Sequence, residues 1–246
     1  MIDKEKVVKK MVDEMAETSR EILEETKKDD PFKKIVPSVI RKGIDKVNLE
    51  MFDEQTKNSL LDAVGEEYIK RGSLIDAIKA FTISNNKGKL VQIGKNYESN
   101  GMFGSAIDAY RLANETDQLM RVGEKCLNEG HTADAIKAFR LVDDKDKLLK
   151  VGEDCLKKDR YDFAIEVFST FDDKTKLVDA GLHCMKEHQL GYAAKAFELA
   201  KDTENLSKLG DLCLKEGLMG TALRLYELAD NQMMVNFIKE NFPGKV

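Results

Sequence analysis

The chain is 246 residues long, 42% hydrophobic and 35% charged, with three Pro and no Trp. That apolar content excludes wholesale disorder, and the scarcity of helix-breaking proline favours an all-α fold. Forty basic and 45 acidic residues leave a net charge of −5, so no global positive field draws in a polyphosphate backbone and nucleic acid is not the expected partner.

The opening stretch, MIDKEKVVKKMVDEM, is charged throughout, and no window of the chain approaches the ~20 apolar residues needed to cross a bilayer. A soluble, cytoplasmic protein without membrane insertion is expected. Residues 4–28 are predicted to form a long charged helix with Val8, Met11, Val12, Met15, Ser19, Ile22 and Leu23 near one face, ended by Asp30-Pro31. This extension is expected to cap the first repeat of the array that follows. A heptad-like seam through Val8, Met15 and Ile22 also allows self-association into a homo-oligomer, and folding back into the groove or docking on a partner are further arrangements. Pro37 starts or kinks a second short helix over residues 39–47, before Phe52 leads into the repeats.

From there the sequence repeats with a period of 29 residues, carried by Gly65, Gly94, Gly123, Gly152, Gly181 and Gly210. Four residues before each glycine stands a leucine, from Leu61 to Leu206. Immediately before it stands Val64, Ile93, Val122, Val151, Ala180 or Leu209, and three residues after it Tyr68, Tyr97, Cys126, Cys155, Cys184 or Cys213. These offsets fall on one face of a 3.6-residue helix, so each copy opens with an amphipathic helix, termed helix A. Seven residues past the glycine, Gly72, Gly101, Gly130 and Gly217, with Asp159 and His188 in the other copies, suit the left-handed position that ends a helix.

A second amphipathic helix, helix B, follows, with Ala77, Ala106, Ala135, Ala164, Ala193 and Ala222 one turn before Phe81, Tyr110, Phe139, Phe168, Phe197 and Tyr226. A glycine inside helix A costs ~1 kcal/mol relative to alanine. The expected compensation is close approach, the bare glycine facing the small Ala of helix B while the aromatics fill space between hairpins. A helix B of about nine residues is marginal alone, so stacking of neighbouring hairpins is required. Residues 231–246 continue the register with Val235, Ile238 and Phe242, which reads as a C-terminal capping helix.

These spacings resemble the tetratricopeptide repeat (TPR): a large apolar residue, then an apolar residue and Gly, an aromatic three later, then Ala, an aromatic four later and a small residue beyond, here Ala113, Ala200 and Ala229. The first large residue is Leu rather than Trp, the period is 29 rather than 34, and the terminal Pro is missing, so the chain is similar to the shortened repeats of vesicle-coat and intraflagellar-transport solenoids. The resemblance implies a TPR-like α-solenoid of about six repeats over residues 59–230, with an N-terminal helical extension over 1–58.

Candidate chemistry is sparse. The Cys column has no pair closer than 29 residues and reads as reduced core packing. His183 and Cys184 are consecutive and point about 100° apart on a helix, which argues against a catalytic pair. Phosphate loops, HExxH and CxxC motifs are absent, and neither a cofactor, a metal nor an enzymatic activity is expected.

If the family geometry holds, helix A residues line the concave face: Val91, Lys95, Glu98 and Ser99; Met120, Glu124, Leu127 and Asn128; Leu149, Glu153, Leu156 and Lys157; Val178, Leu182, Met185 and Lys186; Ser207, Asp211, Leu214 and Lys215. Met120, Leu127, Leu149, Leu156, Val178, Leu182 and Met185 would form an apolar strip beside the Lys157, Lys186 and Lys215 row. The resemblance implies a scaffold or adaptor that takes a protein or peptide into this groove, the lysines favouring acidic flanks. Two other arrangements stay open. Neighbouring A helices bury the strip, with Glu153–Lys157 and Asp211–Lys215 as ordinary surface pairs, or the groove of a structural subunit is filled by its own N-terminal helix or a second copy. RNA binding ranks below these, since the inner rows are largely apolar or acidic.

Overall fold

The computed structural model describes residues 8–10, 12–13, 15–17 and 32–242. All regular structure among them is helical. After the helical residues of the 8–17 stretch come α1 (Val36–Lys42) and a 3-10 turn (Ile44–Lys46). The helix expected over 39–47 is therefore a correction: it starts earlier, with Pro37 in its first turn, and breaks at Gly43, where φ is +85°. The expected helix over 4–28 lies largely outside the described residues. Where it is described, Val12, Met15 and Ala16 are buried, and a Cβ at Gly72 would lie 3.8 Å from Val12 Cγ1.

The repeats follow as alternating A and B helices. The A helices are α2 (Glu54–Lys70), α4 (Lys87–Ser99), α6 (Thr116–Asn128), α8 (Lys145–Lys157), α10 (Lys174–Lys186) and α12 (Thr203–Lys215). The B helices are α3 (Leu74–Ile83), α5 (Phe103–Leu112), α7 (Thr132–Val142), α9 (Tyr161–Thr170), α11 (Leu190–Ala200) and α13 (Met219–Leu228), and α14 (Gln232–Asn241) continues the A register. The chain divides into two compact units, Met1–Val142 and Asp143–Val246, each holding three hairpins. Within each unit every helix packs on the next in sequence, and successive B helices also touch, α5 with α7 and α9 with α11.

Both helices of each copy end in the left-handed region. At the A ends, Gly72, Gly101, Gly130, Asp159, His188 and Gly217 have φ between +54° and +85°, as the spacing predicts. Just beyond this residue an N–H reaches back across the last turn to the carbonyl of the aromatic or Cys column, as in Met102 N to Tyr97 O at 2.9 Å and Gln189 N to Cys184 O at 2.8 Å, the Schellman pattern. The B ends repeat the device at Asn85, Asn114, Asp143, Asp172, Lys201 and Asp230, all with positive φ. The next residue then caps the following A helix: Asn86, Asp144, Asp173, Asp202 and Asn231 accept from the backbone N–H three residues on.

The core lies between the A and B helices. The expectation that each glycine faces an alanine is corrected: the ring of the same copy's helix B sits on it. A Cβ would come within 2.5 Å of Tyr110 at Gly94, 2.6 Å of Phe81 at Gly65, 2.7 Å of Phe168 at Gly152 and 2.8 Å of Tyr226 at Gly210. The aromatics are thus intrahairpin plugs, all but completely buried, and burial of a whole ring offsets the helix propensity lost at the glycine.

Candidate interaction surface

In the first unit, α4 and α6 carry the expected groove residues. Val91, Met120 and Leu127 are half-buried, while Lys95, Ser99, Glu124 and Asn128 are exposed. Glu98 departs from the groove pattern, since it is buried. Its Oε1 accepts from Arg121 Nη1 at 2.8 Å and Lys125 Nζ at 3.2 Å; its Oε2 accepts from Arg121 Nη2 at 2.6 Å and the Tyr110 hydroxyl at 2.9 Å. The Arg121 fork holds the Glu98 carboxyl well below the usual carboxylate range, at about 2, against the opposing effect of burial. Burial and the bond to Glu98 push the Tyr110 hydroxyl up. These four side chains join helix B of one hairpin to the A helices of two.

In the second unit, α8, α10 and α12 carry the rest of the row. Leu156, Val178, Met185 and Leu214 are partly buried and pack against the core that contains Cys184, Phe197, Leu209, Cys213 and Tyr226. Leu149 is half-buried, and Leu182 is the member of the strip that stands out, 40% exposed. Lys157, Lys186 and Lys215 are exposed, each the last residue of its A helix, where a positive charge also suits the carbonyl end of the helix dipole.

The i,i+4 pairs expected on this face are not the ones formed. Glu153 takes Lys176 Nζ of the next A helix at 2.6 Å, which lowers the Glu153 pKa, and Asp211 accepts from the Tyr226 hydroxyl at 2.6 Å. Glu66 pairs with Lys89 over the same 23-residue spacing as Glu153 and Lys176, so acids one residue past the glycine reach the next hairpin. The sequence does carry a signal for the two hydroxyl contacts. The aromatic column holds Tyr instead of Phe only at Tyr110 and Tyr226, and a buried phenol needs a polar partner. Those copies place Glu98 and Asp211 on the preceding A helix. The cations around Glu98 belong to one copy only, so no period announces them.

The four cysteines are free and buried. Burial pushes Cys126 up to about 12 and Cys184 up to about 11, and raises Cys155 and Cys213 as well. His183 Nε2 lies 3.9 Å from Asp159 Oδ1. Its ring centroid is 6.0 Å from that of Tyr161, whose hydroxyl donates to Asp159 at 2.6 Å. Among the described residues no group of three His, Cys, Asp or Glu side chains converges as metal ligands do, and no helix is long and apolar enough to cross a membrane.

The fold and surface thus define an all-helical protein of tandem helix pairs, with half-buried apolar and exposed charged side chains on the A helices of each unit. No family model matches the chain, and no curated protein matches it either.

Proposed function

We propose that the chain is a TPR-like solenoid that works as a scaffold or adaptor, holding a segment of a partner polypeptide along the A-helix face. The observation that carries this reading is the pairing on α10 of an exposed Leu182 with half-buried Val178 and Met185, beside Lys186 at the helix end. Apolar side chains left half in water next to unpaired cations suit a segment that presents apolar anchors and acidic flanks. The unbroken 29-residue register and the plugged glycines support the solenoid reading, because hairpins with B helices of ten or eleven residues need neighbours to persist. Four reduced thiols fit the cytoplasm.

Affinity capture from cells that produce the protein tests this reading with Leu182→Asp combined with Lys186→Glu. Both sites are exposed, so helicity by circular dichroism should be unchanged. Loss of the captured partners is the expected result. Full capture by a still-helical double variant removes the groove reading.

A further inference from the structure

The A-helix face of the first unit holds a depression of about 430 Å³, lined by Lys95, Glu98, Ser99, Gln118, Arg121 and Lys125. The lining holds three cations and one carboxylate, which bonds Arg121 and Lys125, so the lining carries two positive charges in excess. The acceptors are already used. Both Glu98 oxygens are filled by Arg121, Lys125 and Tyr110, and Gln118 Oε1 takes Arg121 Nε at 3.2 Å and Nη2 at 3.0 Å. Ser99 Oγ donates to Asn96 O at 3.0 Å and accepts from Asn100 Nδ2 at 3.5 Å. What is left over is donors: the Lys95 ammonium, the Lys125 protons not given to Glu98, and the Gln118 amide nitrogen, whose own oxygen is taken by Arg121. Lys125 is further held over the Phe103 ring, 5.4 Å from its centroid. The buried Glu98 carboxylate, bonded to Arg121 and Lys125, fixes the positions of these side chains before any ligand arrives.

We propose that this depression receives a phosphoryl group carried on a serine or threonine of the partner segment. A phosphate monoester brings close to two negative charges and three acceptor oxygens, which match the excess charge and the three donor groups; a carboxylate brings one charge and leaves the site half neutralised. Arg121 and Lys125 side chains are 48% and 39% exposed, so solvent screens them and the phosphoryl alone binds weakly. Useful affinity then needs apolar contacts on the same helices, from Val91, Met120 and Leu127. The inference rests on the A-helix face being a docking surface, but it is tested separately.

The test is a titration of the isotope-labelled full chain, followed through backbone amide shifts, with inorganic phosphate and with three blocked pentapeptides, Gly-Leu-X-Leu-Gly, in which X is phosphoserine, glutamate or serine. The phosphoserine peptide is expected to shift Lys95, Ser99, Gln118 and Lys125 saturably, and more tightly than inorganic phosphate or the other two peptides. Lys95→Ala, at an exposed position that should not disturb folding, is expected to weaken it about five- to tenfold. Equal binding of the glutamate peptide, equal binding of inorganic phosphate, shifts centred elsewhere, absence of saturable shifts, or indifference to Lys95→Ala each overturns the proposal. None of these outcomes touches the capture experiment on Leu182 and Lys186, whose sites lie in the other unit.

Discussion

Glycine to alanine is ordinarily a stabilising change inside a helix, by up to about 1 kcal/mol, yet in this chain its sign depends on which glycine is changed. At Gly94 the new methyl would sit 2.5 Å from Tyr110 Cε1, and the ring is held by its bond to Glu98. Gly94→Ala is therefore expected to destabilise by roughly 1–3 kcal/mol. Gly191, also helical but in the first turn of α11, meets nothing within 4 Å, and Gly191→Ala should be neutral or stabilising by a few tenths of a kcal/mol. Urea denaturation of the two variants checks both signs. The glycine column itself was plain in the sequence, and so was its need for close approach. The identity of the approaching group was not. Alanine and the aromatic lie one turn apart on the same face of helix B, so spacing satisfies either, and only the packing of the two helices puts the ring over the glycine.

Element boundaries rest on local chemistry, and most of that chemistry recurs every 29 residues. Asp144, Asp173 and Asp202 cap their A helices through the side chain, whereas Glu115, with the same backbone shape before α6, makes no such bond. The longer glutamate overshoots the N–H that aspartate reaches. Asp173→Ala should cost about 0.5–2 kcal/mol, and Glu115→Asp should gain up to about 1 kcal/mol, both readable as shifts in the urea midpoint at constant slope. The A-helix ends were legible because glycine marks four of the six. The B-helix ends have the same left-handed turn but use Asn, Asp and once Lys, which are common elsewhere in so charged a chain, and the signal becomes visible only when all copies are aligned on φ. Gly43 shows the same effect in the extension, where one left-handed residue splits a helix that periodicity alone would carry through.

At the scale of the molecule, the cysteine column supplies a reporter of how hairpins depend on one another. Cys155, Cys184 and Cys213 lie under successive hairpins of the second unit and Cys126 within the first. All four should resist thiol reagents in the native protein, because they are buried and burial raises their pKa values. In pulsed labelling across a urea transition, the three thiols of the second unit are expected to become reactive together, since none of its hairpins can shield its apolar face alone. Early reaction of Cys155 with Cys184 still protected would show the hairpins to be independent.

Sequence by itself determined the helix pairs, their period, the buried columns and the left-handed ends of the A helices, because each follows from side-chain spacing within a few turns and is written six times over. Tertiary structure alone decided what fills the space above each glycine, that Glu98 turns inward to Arg121 and Tyr110, that Glu153 reaches Lys176 instead of Lys157, and where the chain divides into two units. Those outcomes depend on contacts between residues 12 to 27 positions apart, where several partners are compatible with one helical face and only packing selects among them.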